Sequence, residues 1–249
     1  MGDAVWSMYD YNRGCCDNIC YSGVADIFRL PKFSLSFFRT QIAEGSMLPS
    51  GKMPYEVFIP AYRDEILSDT VMVYGNVDEV ELVLNGKTIR RQTADKGPDS
   101  DYIPVPNGGN GKNLHFPPFT FYGVPKERGV LKAVGYHQGK KVAEYTVKTP
   151  GVPERLDITY FESGKPATKN DLLIVYVRML DKQGVLCPVN GIPVELSVQG
   201  GEIVGPTSYP LEAGVASFLV RTGEISKINI RATSKEFSIY KKIKIKNSL

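Results

Sequence analysis

Histidine is almost missing from this chain: His115 and His137 are the only two in 249 residues. That scarcity excludes most histidine-based acid–base catalysis and histidine-rich zinc sites before any motif is read. Long apolar runs are missing too, and none approaches the roughly 18–20 residues that a membrane-spanning helix needs. The start, Met1-Gly-Asp-Ala-Val-Trp6, has no basic residues leading into an apolar stretch, so no signal peptide is read there. An excess of one charge is also lacking. Lys and Arg number 30 against 27 Asp and Glu, a net charge of +3, which argues against a nucleic-acid partner. Hydrophobic residues are plentiful at 42%, enough for real cores, and wholesale disorder is excluded.

The cysteines are few and clustered: Cys15, Cys16, Cys20 and then Cys187. Adjacent cysteines rarely bridge each other, because the geometry strains the backbone. The cluster lacks paired Cys-x-x-Cys spacing and any nearby histidine, so no metal and no cofactor is expected. Free thiols are the reading. Asp95-Lys-Gly-Pro-Asp-Ser-Asp101 gathers three carboxylates in a loop but fits no EF-hand spacing. Asn107-Gly-Gly-Asn-Gly111 lacks the Gly-Lys-Ser/Thr ending of a phosphate cradle.

What is present is strand pattern. Val71–Gly75, Val80–Leu84, Lys87–Arg91, Val130–Tyr136 and Lys141–Val147 read as strands. Asn85-Gly86 and Gln138-Gly139 read as hairpin turns. Breakers at Thr149-Pro-Gly-Val-Pro153 precede a second set: Leu172–Leu180, Val194–Val198, Val215–Val220 and Ile228–Ala232. The tail Tyr240–Lys246 alternates Ile243 and Ile245 with lysines, a half-solvated strand whose charges guard a sheet edge. Its alternative is a basic patch for an anionic partner. Strands with turns between them, and no amphipathic helix in either set, predict antiparallel sandwiches of about 95 residues each. The aromatic stretch His115–Tyr122 reads as a strand with core aromatics, with a stacking platform as the alternative. Glu79 and Glu81 share one face of a strand, which reads as a solvated sheet face.

The first 43 residues differ. Ala4–Tyr9 reads as a short buried strand, and Phe33–Ile42, behind Pro31, as a helix with Leu35, Phe38 and Ile42 on one face. One strand, a long loop and one helix cannot bury Trp6, Phe28, Phe37 and Phe38 alone.

Trp6-Ser-Met-Tyr-Asp-Tyr-Asn-Arg-Gly14, Tyr21-Ser-Gly-Val-Ala-Asp-Ile-Phe-Arg-Leu-Pro-Lys32 and Phe37-Phe-Arg-Thr-Gln41 resemble the end of the catalytic barrel of glycoside hydrolase family 2, the β-galactosidase and β-glucuronidase family. Val73–Lys87 resembles the sandwich that follows the barrel in many bacterial members. Leu180–Val185 and Gly200–Gly205 resemble the immunoglobulin-like domain after it.

The resemblance implies a mainly β chain of three parts. Residues 1–44 would be the strand–loop–helix end of a (β/α)8 barrel. Residues 45–150 and 151–249 would be two tandem immunoglobulin-like antiparallel sandwiches. It implies a retaining glycosidase built on two glutamates about 5 Å apart. The family's acid/base lies in an Asn-Glu pair, and no Asn-Glu occurs in this sequence. No catalytic residue is therefore assigned, and the chain alone is expected to be inactive. The resemblance places Trp6 at the floor of a sugar subsite, where an indole face would stack on a sugar ring. Asp10, Asn12 and Arg13 would line the same pocket, or else close the loop by hydrogen bonds.

The expected partners are an N-terminal barrel and, through it, a β-galactoside or related carbohydrate. No nucleic acid and no membrane span is expected. The sandwiches would brace the barrel, shape its cleft or make oligomer contacts. A periplasmic or extracellular setting suits such an enzyme, though this sequence does not fix the compartment. The competing reading is a carbohydrate-binding or cell-surface module of tandem sandwiches with no link to catalysis.

Overall fold

Seventeen strands and one short helix account for the regular structure of the described residues. They come from a computed structural model that describes residues 7–12, 14, 19–42, 55–61, 68–95, 114–161 and 166–246. The chain divides into two units, Met1–Thr149 and Pro150–Leu249. Among the described residues no helix is long and apolar enough to cross a membrane.

The first unit opens with two short paired strands, β1 (Tyr11–Asn12) and β2 (Ile19–Cys20). Helix α1 (Phe33–Arg39) follows Pro31. It stops short of the expected Ile42. The Thr40 hydroxyl donates to the Phe37 carbonyl at 2.7 Å, and its N–H is shared among the carbonyls of the last turn. Such local side-chain bonding competes with helix propagation. Of the strand expected at Ala4–Tyr9, residues 7–9 are described. There Tyr9 makes an isolated bridge to Ala25, and Met8 and Tyr9 are exposed.

Strands β3 (Val57–Phe58), β4 (Val71–Gly75), β5 (Glu79–Leu84), β6 (Lys87–Thr93), β7 (Phe119–Phe121), β8 (Val130–His137) and β9 (Lys140–Lys148) complete the unit. They form two antiparallel sheets, β3-β4-β7 and β6-β5-β8-β9. Period-two alternation selects the inner face: Val80, Leu82 and Leu84 of β5 are buried, while Glu79, Glu81 and Val83 are half-buried. Val73, Phe119, Phe121, Leu131 and Ala133 fill the same core. Each large side chain removed from water contributes about 1.5–3 kcal/mol. Both expected hairpins form. Asn85 and Gly86 have φ of 51° and 81°, and Gln138 and Gly139 have 49° and 74°, the positive pair that a tight hairpin demands. The Asn85 amide also reaches beyond its turn: its Oδ1 accepts the Val130 N–H at 2.9 Å and its Nδ2 donates to the Arg128 carbonyl at 3.1 Å.

The second unit contains β10 (Arg155–Tyr160), β11 (Leu172–Leu180), β12 (Pro193–Gln199), β13 (Gly201–Ile203), β14 (Ser208–Pro210), β15 (Val215–Thr222), β16 (Lys227–Ser234) and β17 (Phe237–Lys244). Sheet β10-β11-β15-β13 packs its apolar face on sheet β14-β12-β16-β17. The near-continuous apolar run of β11 fits its central place, with Leu173 through Val177 all buried. After Gln199 the chain leaves one sheet for the other through Gly200-Gly201. A Cβ on Gly200 would lie 2.2 Å from Ile225 Cδ1, and one on Gly201 would lie 2.4 Å from the Arg221 carbonyl oxygen, so the crossing requires glycine.

Asp181 shapes the β11 exit. Its side chain accepts the Val185 N–H at 2.8 Å and the Gly151 N–H at 2.7 Å. Burial pushes its carboxyl up, but the N–H groups of Gly151, Val185, Gln183 and Gly184 outweigh that and hold it below the ordinary aspartate range. Cys187 is a free, buried thiol whose titration burial pushes up, so it behaves as a core residue.

Candidate functional site

Of the four residues that the sequence offers for a sugar pocket, Asp10 and Asn12 lie among the described residues; Trp6 and Arg13 lie outside them. Asp10 is only 6% exposed, held between Tyr9 and β1. Its N–H donates to the Ala25 carbonyl at 3.0 Å. Its Oδ1 accepts the Gly23 N–H at 2.8 Å and the Lys32 ammonium at 2.6 Å. Lys32 Nζ donates in turn to the Tyr21 carbonyl at 3.1 Å. One carboxylate thus ties residues 10, 23 and 32 into a closed loop. Gly23 makes the approach possible, since a Cβ there would meet the Asp10 nitrogen at 2.3 Å. Asn12 works over a shorter range: its Oδ1 accepts the Gly14 N–H at 2.8 Å.

The same loop carries a second carboxylate. Burial pushes the Asp26 carboxyl above its ordinary value, against the opposing pull of the Leu30 N–H that it accepts at 2.8 Å. Asp26 thereby fixes the turn that places Arg29 at a φ of 66°. The Arg29 guanidinium lies 5.4 Å from the centre of the Tyr9 ring. Both described carboxylates of the loop, Asp10 and Asp26, therefore serve its closure, and each has partners that would have to be released before it could touch a substrate.

Around this polar frame Val24 and Ala25 are buried, but several larger apolar residues stay uncovered. Tyr21 is 73% exposed, Met8 52%, Ile27 42% and Phe38 40%, and α1 contains no buried residue. The helix is fastened at one side. Phe37 meets Tyr74 edge-on at 5.1 Å, Tyr74 stacks on Phe58, and Arg39 pairs with Glu56. The Gln41 amide exchanges two hydrogen bonds with the Phe116 backbone, at 2.9 and 3.2 Å.

The remaining candidates resolve as structure. In the His115–Tyr122 stretch Phe119 and Phe121 are fully buried in the core, while Phe116 is half-buried and His115 and Tyr122 are exposed. Glu81 accepts the Thr88 hydroxyl at 2.6 Å and the Tyr136 hydroxyl at 2.7 Å, and these two bonds hold it below the ordinary glutamate range. Glu79 pairs with Arg91 at 2.5 Å. Asp95 accepts the Thr120 N–H and hydroxyl; Asp99 and Asp101 lie outside the described residues. Among the described residues no group of three His, Cys, Asp or Glu side chains is placed to hold a metal ion. Sequence reasoning missed Gly23 and Lys32, because they meet Asp10 across 13 and 22 residues of irregular loop. No local periodicity marks such partners.

Two antiparallel sandwiches in one chain, behind a loop and helix with uncovered aromatics, define a tandem sandwich protein. Comparison with known proteins extends that description. Residues 68–143 match the family described as "Domain of unknown function (DUF4982)". A β-galactosidase of Thermoanaerobacter pseudethanolicus is 32% identical over 94% of this chain and 32% of its own length. A shorter β-galactosidase sequence of Rhizobium radiobacter is 30% identical over 49% of this chain and 89% of its own length. A glycosyl hydrolase family 2 member from Bacteroides cellulosilyticus shares the fold at a TM-score of 0.67, with 21% identity over 96% of this chain and 33% of that one. The chain belongs to glycoside hydrolase family 2. It spans about a third of the length of the first curated relatives that it matches.

Proposed function

We propose that this chain is the non-catalytic C-terminal region of a retaining family 2 glycosidase of the β-galactosidase type. In this reading residues 1–44 are the end of its barrel, and residues 45–150 and 151–249 are its two sandwiches. The two catalytic glutamates belong to the barrel. The sandwiches brace it and shape the entrance to its cleft. Trp6, Asp10, Asn12 and Arg13 line the sugar pocket of the whole enzyme, with Asp10 acting through the loop that it closes.

The observation that carries this reading is α1. Phe33 and Phe38 are exposed on a seven-residue helix that buries none of its residues, in a segment that also exposes Met8, Tyr21 and Ile27. So much apolar exposure in one short segment suits a surface made to be covered, and a barrel would cover it. Two experiments test the reading. The purified chain should not turn over aryl β-galactosides at any protein concentration; hydrolysis that survives repurification overturns it. A chimaera that puts this chain in place of the matching third of the Thermoanaerobacter relative should hydrolyse β-galactosides, while that relative without its matching third should not. A chimaera no better than the truncated relative removes the bracing role.

A further inference from the structure

β17 is an edge strand of the second sheet in the C-terminal unit, and β16 lies between it and β12. Their register sets Lys227 opposite Lys244, Asn229 opposite Lys242, Arg231 opposite Tyr240 and Thr233 opposite Ser238. The alternating residues Ile228, Ile230 and Ala232 are fully buried. The set beginning at Lys227 therefore faces outward. β12 adds exposed Glu195, Ser197 and Gln199 to the same face, opposite Thr233, Arg231 and Asn229, so four cations there stand against one carboxylate at its far end. Near the centre Tyr240 is 68% exposed, with the Arg231 guanidinium 5.2 Å from its ring centre.

Two features separate this surface from an ordinary solvated face. First, its cations are not neutralised from within. Among the described residues Lys227, Arg231, Lys242 and Lys244 have no carboxylate at salt-bridge distance. The outer face of β6-β5-β8-β9 does the opposite, pairing Arg91 with Glu79 and both Lys132 and Lys141 with Glu144. Like charges directly opposite each other destabilise a sheet, so the Lys227–Lys244 pair persists against the stability of its own strands. Second, the largest exposed group among these cations is a tyrosine ring. A single flat aromatic among cations, amides and hydroxyls offers an apolar surface in a field of hydrogen-bond donors.

We propose that this face binds a carboxylated polysaccharide, a polyuronate. Each uronate ring carries an apolar C–H face, which suits Tyr240, and a carboxylate at its rim, which suits an ammonium. Strand geometry spaces the cations about 4.8 Å across the pair and about 6.8 Å along a strand, near the size of one sugar ring. A polymer with an anion on every unit meets several lysines at once, which a single sugar does not. Asn229, Ser197 and Gln199 supply bonds to ring hydroxyls. The proposal stands whether or not the barrel reading holds.

The test is titration calorimetry of the 249-residue chain at low ionic strength, with polygalacturonate and with neutral galactan of matched length. Polygalacturonate should bind, and galactan should bind at least about tenfold more weakly. Lys242→Gln with Lys244→Gln should weaken polygalacturonate binding about tenfold and flatten its dependence on salt. Tyr240→Ala should weaken it about threefold or more and leave the salt slope intact. Lys132→Gln with Lys141→Gln, on the paired face of the other unit, should change nothing. All four lysines are on the surface, so folding survives these changes. The proposal is overturned if polygalacturonate does not bind, if galactan binds equally, or if the Lys242/Lys244 variant binds as the parent does. Tighter binding to single-stranded DNA or to anionic phospholipid vesicles than to polygalacturonate also overturns it.

Discussion

Asp10 and Phe218 are both almost fully buried, at 6% and 1% exposure, yet they hold their regions by opposite means. Asp10 joins residues 10, 23 and 32 by hydrogen bonds, while Met8, Tyr21, Ile27 and Phe38 stay exposed. Phe218 sits in an apolar core that two four-stranded sheets close from both sides. A buried charge-assisted network fixes geometry without removing much apolar surface from water. A sandwich core supplies its stability through that removal. The Pro150–Leu249 unit therefore has what it needs to fold by itself. The described residues of the segment 7–42 are held by that network and leave several large apolar side chains exposed, which is the pattern of a piece of an interface.

The largest expected effect tests the sandwich side of that contrast. Phe218→Ala should destabilise the C-terminal unit by about 3–5 kcal/mol through lost transfer energy and the cavity left behind. Denaturant unfolding should show that unit's midpoint falling while the first unit's midpoint stays. A loss shared equally by both units would break the comparison, because it would make the two a single cooperative body.

Asp181 comes next, as the polar hub inside the apolar unit. Asp181→Asn removes the charge that four N–H groups stabilise, and about 2–3 kcal/mol should be lost at neutral pH. The sign with pH follows from its lowered titration. A carboxyl held below its ordinary value contributes stability that is complete above that value. The contribution is lost as the pH falls through the folded-state value. The wild-type C-terminal unit should weaken from about pH 4.5 downward, and Asp181→Asn should flatten that part of its stability curve. Equal acid slopes for the two proteins would assign the acid loss to other carboxylates.

Asp10 should give a smaller and more local effect. Asp10→Ala leaves the Gly23 N–H without its acceptor and the Lys32 ammonium with only the Tyr21 carbonyl, at a cost of about 1–2 kcal/mol. Amide exchange at Gly23 and Ala25 should quicken about tenfold, with both sandwich midpoints unmoved. A fall in the first unit's midpoint would show that the loop is part of that sandwich's cooperative fold, and would sharpen the comparison by moving its boundary.

How much of this was legible in the sequence depends on range. Asn85-Gly86 and Gln138-Gly139 declared their hairpins, because a positive φ at two adjacent positions is a local demand. The tail declared its inner face: Ile243 and Ile245 are buried as period two requires. It did not declare that Lys227 and Arg231, from β16, complete a basic face with Lys242 and Lys244, since that depends on strand register. The same limit hid β13. Gly200-Gly201 is by composition a plain turn signal, and in the fold it carries the chain from one sheet to the other. Asp10 was visible as a loop residue and not as a hub, because its partners are set by a backbone that has no period.

The smallest predicted effect concerns how α1 is fastened. Arg39 pairs with Glu56, but the arginine side chain is 58% exposed. An exposed pair gains little in water and is screened by salt. Arg39→Ala should therefore change the stability of the first unit by less than about 0.5 kcal/mol. Gln41→Ala should cost more, about 1 kcal/mol, because Gln41 exchanges two partly buried hydrogen bonds with Phe116 across 75 residues. Phe37, in edge contact with Tyr74, would then be the apolar part of the same attachment. If Arg39→Ala proved the more damaging of the two, the helix would be held by charge at its exposed end. Raising the salt would then loosen it, and the exposed side of α1 could no longer be read as the side that waits for a partner.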